Sequence, residues 1–506
     1  MNPKSPLLQI ILFALCLRII SAFYSEGYLM HDDHFWVVES SASWADGEDY
    51  NNWLPWSQEE LGRTPTPHYA NLFYSSIHYL YFEFVEFLGF SNPNQKALIL
   101  RLIHGLLSLI PLVLAYKISE KIGGIKPAIW VGFMMAGLAW TPLLSVHQLV
   151  EVTCIIPLLA FSWILTKHEW TTKTLVIAGM FLGIATGLRY QVGIMGLGLV
   201  AAFAMTSKKG WIWNSIITGI SALFFFALTQ IPTDIYLWGE PFAQLRAYIE
   251  YNLNSSSEYP QGSIFTYLFV ILMMAAPPIS FFFFYGYLKS VKKYAWLVLP
   301  SLAFIVFHSL FPNKQERFII PALPYIIIVG TLVWHNEERN KTLSRALISL
   351  SIIINVILLA PLTVTSKNTS QLKAMNFLRE AGDVESFLYV KTDGSAFPPR
   401  YYLDSWISYT VADEGTVVKD QRIKHCHDES IVKPNYLVFV GDSHLGEYVA
   451  EFKEAYQSME YVSQFGPTRA DRFLNYLNPR IALKRSMIYK IDPTLECSEV
   501  TKGENE

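Results

Sequence analysis

Apolar runs of about 20 residues recur along most of the chain, and each is long enough to cross the hydrocarbon core of a membrane. The runs are continuous rather than alternating, which predicts helices and not the strands of a β-barrel. About eleven spans are predicted, at 7–23, 97–116, 128–146, 149–166, 174–190, 192–205, 212–231, 264–288, 296–311, 318–334 and 343–362. Segment 69–90 carries acidic residues among many aromatics, so we expect an amphipathic helix at the membrane interface.

After residue 363 the pattern changes to that of a soluble domain. Short apolar runs at 386–390 and 435–441 predict buried strands, and segment 370–381 predicts a helix. We expect a transmembrane domain at 1–363 with a long first outer loop at 24–96. A small extracytoplasmic α/β domain at 364–497 and a disordered tail at 498–506 would follow. In that domain Cys426 and Cys497 could pair in an oxidising compartment or remain free thiols.

The basic residues predict the orientation of the spans. They concentrate in short connectors at 117–126, 167–173, 208–209, 289–293 and 339–345. These connectors are expected on the cytoplasmic side, because cytoplasmic loops carry an excess of lysine and arginine. The first loop, the other connectors and the C-terminal domain would then lie outside.

Composition supports a membrane protein and excludes other classes. The chain has 506 residues, of which 52% are hydrophobic and 16% are charged, whereas soluble domains are about 25% charged. The net charge of -3 comes without a basic tract, so no nucleic-acid partner is expected. The four cysteines show no CxxC spacing, and no metal or redox site is suggested by them. The first apolar segment lacks a small-residue cleavage site, which favours a retained helix over a signal peptide.

Two adjacent acids between two histidines follow the first predicted span. A carboxylate of Asp32 or Asp33 at the membrane surface could act as a general base towards an acceptor hydroxyl. Together with His31 and His34, the same acids could instead bind a metal ion. The alternative without function is a solvated helix start, with Asp32 as its cap.

A second polar segment lies between two later spans. Lys314 and Arg317 are predicted on the outer side, whereas basic residues usually concentrate on the cytoplasmic side. Paired cations at a helix start suit an anionic ligand such as a lipid phosphate. The structural alternative is an ion pair of Arg317 with Glu316 or with an aspartate of another helix. The remaining candidates for substrate binding are charged and polar residues at outer helix ends: Glu151, Arg189, Gln191, Asp234 and Glu316.

These motifs resemble those of the GT-C mannosyltransferases of glycosyltransferase family 22, which build GPI anchors and N-glycan precursors from dolichyl-phosphate mannose. Segment 32–35 is similar to the Asp-Glu-containing motif of the family's first loop. Segment 313–321, preceded by His308, resembles its His-Lys-Glu-x-Arg-Phe-x-x-Pro motif, with Asn313 in place of the first His. Segments 189–191, 234–239 and 251–256 resemble further family motifs. The resemblance covers roughly 7–362.

The resemblance implies a GT-C fold and inverting transfer of a sugar, mannose in the family, from a polyprenyl-phosphate donor to a glycan or glycolipid acceptor. It implies that Asp32 is the base, with Asp33 beside it, and that Lys314 and Arg317 stabilise the leaving phosphate. His34 would orient the base or touch the phosphate. No cofactor is expected, and a metal ion is not required, although the two acids do not exclude one.

Two other classes of function are considered. A transporter or flippase of lipid-linked glycans would place its charges near the middle of the membrane and show paired halves, whereas the charges here lie at outer helix ends. A non-catalytic scaffold for envelope assembly is the other alternative. Sequons at 254–256 and 368–370 fit an endoplasmic reticulum membrane. The absence of a visible retrieval signal favours a bacterial inner membrane.

Overall fold

The protein is mostly helical, with one small β-sheet near its C-terminus. The computed structural model describes residues 5–167, 169–207, 210–255, 261–336, 341–392, 397–413, 416–428, 430–441 and 444–503. The chain forms two compact units. The first comprises Met1–Phe23, Asn51–Ile77 and Leu100–Thr363, and the second comprises Tyr24–Tyr50, His78–Ile99 and Val364–Glu506. The long first loop therefore contributes to both units.

The helices before residue 365 account for most of the structure. The α-helices are Pro6–Tyr24, Ser40–Ala45, Pro55–Glu60, Leu72–Phe87, Pro93–Leu107, Leu109–Gly123, Ile125–Gly137, Thr141–Val146, Val150–Thr153, Ile155–Leu165, Thr172–Leu188, Met195–Thr206, Trp211–Trp238, Ala243–Ser255, Thr266–Met274, Ser280–Lys289, Ala295–Leu310, Leu323–Asn336 and Lys341–Val364. A π-helix spans Asp32–Glu39, and 3₁₀ helices span Tyr190–Ile194 and Glu316–Ala322.

Several of these helices are suited to a membrane. Among the described residues, five helical segments are long and apolar enough to cross one: Pro6–Tyr24, Pro93–Gly123, Trp211–Trp238, Glu316–Asn336 and Lys341–Ala381. Shorter apolar helices of 10–17 residues accompany them. The protein is therefore an integral membrane protein, while the figure of eleven crossings stays a prediction.

One segment predicted as a single membrane span contains a break between two helices. The segment predicted as one span at 264–288 forms two helices, Thr266–Met274 and Ser280–Lys289. Pro277 and Pro278 lie between them, and proline breaks a helix because it lacks an N–H and clashes with the preceding turn. Hydrophobicity alone does not register this break.

A seam of glycines determines how one helix of the first unit packs. Gly179, Gly183 and Gly187 recur every four residues on helix Thr172–Leu188 and face helix Trp211–Trp238. A Cβ atom at Gly183 would overlap the carbonyl oxygen of Ala222, so only glycine permits this approach. The helix ends directly after the seam, and the next residue is Arg189. The seam therefore positions that arginine.

The second unit contains a five-stranded mixed sheet. Its strands are β1 (Phe387–Lys391), β2 (Tyr409–Ala412), β3 (Tyr436–Gly441), β4 (Glu460–Phe465) and β5 (Arg485–Lys490), in the order β2-β1-β3-β5-β4. Strands β1, β2 and β3 are parallel, and β5 is antiparallel to β3 and β4. The surrounding helices are Thr369–Ala381, Arg400–Leu403 (3₁₀), Val418–His427, Leu445–Ala455, Arg469–Leu477 and Pro493–Gly503. The predicted strands and helix of this region are present.

A disulfide joins Cys426 to Cys497, which decides between the two alternatives left open by the sequence. Beside it, the buried carboxylate of Glu496 pairs with Arg422 at 2.9 Å. Asp492 accepts hydrogen bonds from the first backbone amides of helix Pro493–Gly503. Residues 498–503, which we expected to lack structure, continue this capped helix, and 504–506 lie outside the described residues.

Candidate active site

The π-helix Asp32–Glu39 carries the two acids of the first loop. A π-helix bonds residue i to residue i+5, and short π-helices occur frequently at functional sites. This period brings the side chains of His34 and Glu39 onto one face, where Nε2 of the histidine lies 3.1 Å from Oε1 of the glutamate. The local backbone is therefore arranged to join two residues that an α-helix would separate.

The two adjacent aspartates have different environments. Asp33 is buried, and its Oδ1 accepts a hydrogen bond from the backbone N–H of Met30 at 2.8 Å. It thus stabilises the turn that enters the π-helix. Asp32 is only half-buried. Of the two carboxylates, Asp32 is the more accessible to a substrate.

His34 and Glu39 are held firmly within the second unit. The imidazole of His34 stacks on the rings of Tyr28 and Tyr402, with centroid distances of 4.7 and 5.7 Å. Glu39 is fully buried, and its Oε1 also accepts the backbone N–H of Tyr401 at 3.2 Å. These contacts fix the orientation of the imidazole beside the aspartates.

A buried charge cluster lies in the first unit. Glu151, near the start of helix Val150–Thr153, pairs with the guanidinium of Arg189. Its Oε1 also lies 3.7 Å from Nε of Arg317. All three side chains are less than 10% exposed. The two guanidiniums outnumber the carboxylate, so this Glu151–Arg189–Arg317 cluster carries a net positive charge in a buried position.

The cluster and the neighbouring residue His308 contain hydrogen-bonding atoms that no described residue satisfies. Nε and Nη2 of Arg189 are buried and have no acceptor among the described residues, and the same holds for Nε2 of His308. The guanidinium of Arg189 lies 5.0 Å from the ring centroid of Phe318, and the imidazole of His308 lies 6.2 Å from it. His308 Nδ1 donates to the carbonyl of Phe304 at 2.9 Å, which leaves Nε2 of a neutral ring as an acceptor.

These unsatisfied atoms define what the cluster could bind. The guanidinium nitrogens of Arg189 are donors that suit an anion, and Nε2 of neutral His308 suits the O–H of a ligand. A group that is both anionic and rich in hydroxyls, such as a sugar phosphate, would satisfy both.

Lys314 is engaged by the protein itself. Its ammonium donates to the backbone carbonyls of His308 at 2.7 Å, Ser309 at 2.8 Å and Phe311. These carbonyls end helix Ala295–Leu310, so Lys314 caps the negative end of the helix dipole. Burial lowers the pKa of this ammonium. The neighbouring Glu316 is exposed.

The remaining predicted residues lie elsewhere in the first unit. Gln191, on the 3₁₀ helix Tyr190–Ile194, donates through Nε2 to the hydroxyl of Tyr248. Asp234 is buried near the end of helix Trp211–Trp238, where the backbone amides of Phe242, Ala243 and Gln244 face its carboxylate. Within the described part of the chain, no three His, Cys, Asp or Glu side chains could hold a metal ion.

Comparison with known proteins assigns the family. Residues 9–394 match the Alg9-like mannosyltransferase family, which is more than half of the chain. The chain belongs to this family. The resemblance inferred from the motifs is thereby confirmed, and the protein is a member of a group of mannosyltransferases.

Two curated mannosyltransferases are similar in sequence to parts of this chain. The Dol-P-Man:Man(7)GlcNAc(2)-PP-Dol alpha-1,6-mannosyltransferase of Saccharomyces cerevisiae is 28% identical over 191 residues, which are 35% of this chain and 34% of the relative. GPI mannosyltransferase 3 of Yarrowia lipolytica is 23% identical over 314 residues, which are 61% of this chain and 59% of the relative. The chain thus matches less than two thirds of the length of either relative.

Solved structures show the fold of this mannosyltransferase-family chain. ArnT from Cupriavidus metallidurans in the apo state superposes with a TM-score of 0.64 at 11% identity and covers 96% of this chain and 98% of ArnT. The same protein bound to undecaprenyl phosphate gives a TM-score of 0.61 at 12% identity, covering 95% and 97%. At such low identity the likeness concerns the fold alone, which is the GT-C fold expected from the motifs.

Sequence reasoning missed two polar residues of these surroundings. Glu39 was not among the predicted site residues. It lies five residues after His34, a spacing that places two side chains on one face of a π-helix but not of an α-helix. His308 was noted as part of a motif but not as a binding residue. Its unsatisfied Nε2 is visible only in the structure.

Proposed function

We propose that this protein is an integral-membrane glycosyltransferase that moves a sugar, mannose by its family, from a polyprenyl phosphate to a lipid-linked or glycan acceptor with inversion. The observation that carries the proposal is the Glu151–Arg189–Arg317 cluster, with its excess positive charge and the unsatisfied nitrogens of Arg189. A buried excess cation is costly unless an anion neutralises it. A lipid phosphate supplies that anion.

The reaction divides between a base and a cationic group. The acceptor hydroxyl oxygen attacks the anomeric carbon, a new C–O bond forms, and the bond from that carbon to the phosphate oxygen breaks. Asp32 takes the hydroxyl proton, and the electron pair of the broken bond goes to the phosphate. Arg189 and Arg317 stabilise the charge on the leaving phosphate. ArnT, which shares the fold, binds undecaprenyl phosphate, in agreement with this class of ligand.

The choice of Asp32 as base rests on accessibility. Asp32 is half-buried, whereas Asp33 is buried and holds the backbone amide of Met30. We assign His34 to positioning this segment and, of the basic residues, Arg189 and Arg317 to the phosphate. Lys314, which caps a helix, adds only longer-range positive charge. Glu316, Gln191 and Asp234 are proposed to contact the substrate.

We place the site and the C-terminal domain on the extracytoplasmic side of an eleven-span chain. The Cys426–Cys497 disulfide supports this assignment, because structural disulfides persist in oxidising compartments. The basic connectors support it as well, since they would then all face the cytoplasm. A bacterial inner membrane is the proposed location, and the endoplasmic reticulum is the alternative.

The proposal is tested with the purified full chain, radiolabelled polyprenyl-phosphate mannose and lipid or glycan acceptors. Asp32→Asn should lower turnover by about 10²- to 10⁴-fold without weakening donor binding, because it removes a base and leaves the cations. Asp404→Asn is the matched control, as Asp404 is exposed in the same unit and its left-handed backbone tolerates asparagine. It should keep full activity.

Arginine variants test the other half of the proposal. Arg189→Lys keeps the charge but loses the planar fork of donors, so donor binding should weaken by about 10- to 100-fold. Failure to transfer sugar from any polyprenyl-phosphate donor would refute the proposal. Movement of a lipid-linked glycan across the membrane without transfer would instead indicate a transporter. Preserved function of Asp32→Asn in cells would indicate a scaffold.

A further inference from the structure

One short helix of the C-terminal sheet domain has an exposed face that the enzymatic proposal does not use. On helix Arg469–Leu477, the side chains of Phe473, Tyr476 and Leu477 are 42%, 82% and 47% exposed. Residues three and four apart share one face of a helix, so these three form a continuous apolar patch. Leu474, on the adjoining face of the helix, is buried.

Exposed arginines lie on this helix and in the segment that follows it. Arg469 and Arg472 lie on the helix, and Arg480 and Arg485 follow it. Over residues 469–485 the basic residues outnumber the single acid by four, in a chain whose total net charge is -3. Exposed aromatic residues flanked by cations are typical of helices that lie on a membrane surface with anionic headgroups.

A second observation ties this helix to the membrane exit of the chain. Asp471 forms a capping box with Thr468 through Oδ2 and accepts the hydroxyl of Thr365 through Oδ1 at 2.6 Å. Thr365 is the residue that follows the apolar helix Lys341–Val364. The start of the amphipathic helix is therefore bonded to the point at which the chain leaves the last predicted span.

We propose that helix Arg469–Leu477 docks on the membrane surface, with Phe473, Tyr476 and Leu477 in the interface and the arginines on anionic lipid headgroups. The docking would anchor the C-terminal domain to the bilayer independently of catalysis. It does not depend on the proposed transferase activity, because it rests on exposure, charge and the bond to Thr365 alone.

Photocrosslinking of the full chain in nanodiscs tests this docking. The variant Tyr476→benzoylphenylalanine is irradiated in nanodiscs of phosphatidylcholine alone or of an equal mixture with phosphatidylglycerol, and adducts are identified by mass spectrometry. Tyr461→benzoylphenylalanine is the matched control, because Tyr461 is also exposed but lies beside the exposed Glu460 on β4. We expect lipid adducts at position 476 above the yield at position 461, and a higher yield with phosphatidylglycerol.

Charge reversal separates docking from chance proximity. Arg469→Glu and Arg472→Glu, each in the photoreactive chain, should lower the lipid adduct yield by about fivefold or more, since each arginine near an anionic surface contributes about that factor. Glutamate in the first helical turn is favourable, so the helix should persist. Adducts to protein instead of lipid, a yield equal to that at position 461, or insensitivity to both reversals would overturn the proposal.

Discussion

The buried carboxylate of Glu151 provides the sharpest test of the charge cluster. Glu151→Gln keeps the size and shape of the side chain but removes its charge. The guanidiniums of Arg189 and Arg317 would then lose their shared partner while remaining almost inaccessible to water. We expect a large loss of stability from this isosteric change.

The size of the loss follows from burial. Removing one partner of a buried pair, so that a charge remains uncompensated, costs about 3 to 5 kcal/mol. Glu120→Gln is the matched control, because Glu120 forms an exposed pair with Lys117 at 2.7 Å on helix Leu109–Gly123. An exposed pair of this kind contributes about 0.5 kcal/mol or less. The two variants should therefore differ by several kcal/mol although the chemical change is identical.

Thermal unfolding of the purified full chain in one detergent measures both variants. The melting temperature of Glu151→Gln should fall by several degrees at low and at high salt, because salt screens buried charges only weakly. Added polyprenyl phosphate should restore part of this loss if its phosphate enters the cluster. Equal melting temperatures for Glu151→Gln and Glu120→Gln would refute the inference that the carboxylate neutralises two buried arginines.

Three further predictions concern packing and the C-terminal domain. Gly183→Leu should abolish correct folding or displace Arg189 from the cluster, whereas Gly219→Leu on the facing helix should be tolerated because nothing lies within 4 Å of its Cβ position. The two variants are compared by their monodispersity in detergent, and equal behaviour would contradict the glycine seam. Cys426→Ser should destabilise the C-terminal domain by about 4 kcal/mol, because the disulfide closes a loop between cysteines 71 residues apart. Hydrogen exchange of β3 in this variant should become as fast as in the reduced wild type. Burial lowers the pKa of His425 to about 4, so between that pH and about 6.5 the unfolded chain binds a proton that the folded chain excludes. The stability of the C-terminal domain, measured by hydrogen exchange of β2, should therefore decline as the pH falls from about 6.5 to about 4. The His425→Gln variant should not show this decline.

The sequence was sufficient to predict the fold class because the responsible signal is local. Long apolar runs specify membrane helices whatever their partners, and short apolar runs specified strands such as β1 and β3. Interruptions such as the one at Pro277 and Pro278 were not predicted, because a hydropathy pattern records composition but not the loss of a backbone N–H. Helix Pro493–Gly503 was not predicted either, because it starts from a cap that the side chain of Asp492 supplies.

The site was predictable only as a set of residue types. Charged residues at the ends of apolar runs are costly, so Glu151, Arg189 and Arg317 could be selected one at a time. Their mutual pairing was not predictable, and the expected partner of Arg317 was Glu316 or an aspartate rather than Glu151. Likewise, a π-helix cannot be anticipated from propensity, so Glu39 escaped notice.

The structure also separates two cations that the sequence presented as equals. Lys314 has three N–H donors, and three backbone carbonyls at the end of helix Ala295–Leu310 accept them. An arginine has five donors in a planar fork, so Arg189 can pair with Glu151 and still present Nε and Nη2 to a ligand. Positive charge alone would favour the lysine and the arginine equally. The number of donors left after internal pairing favours Arg189. For this reason we assign the phosphate to Arg189, with Arg317 beside it in the same buried cluster, rather than to Lys314.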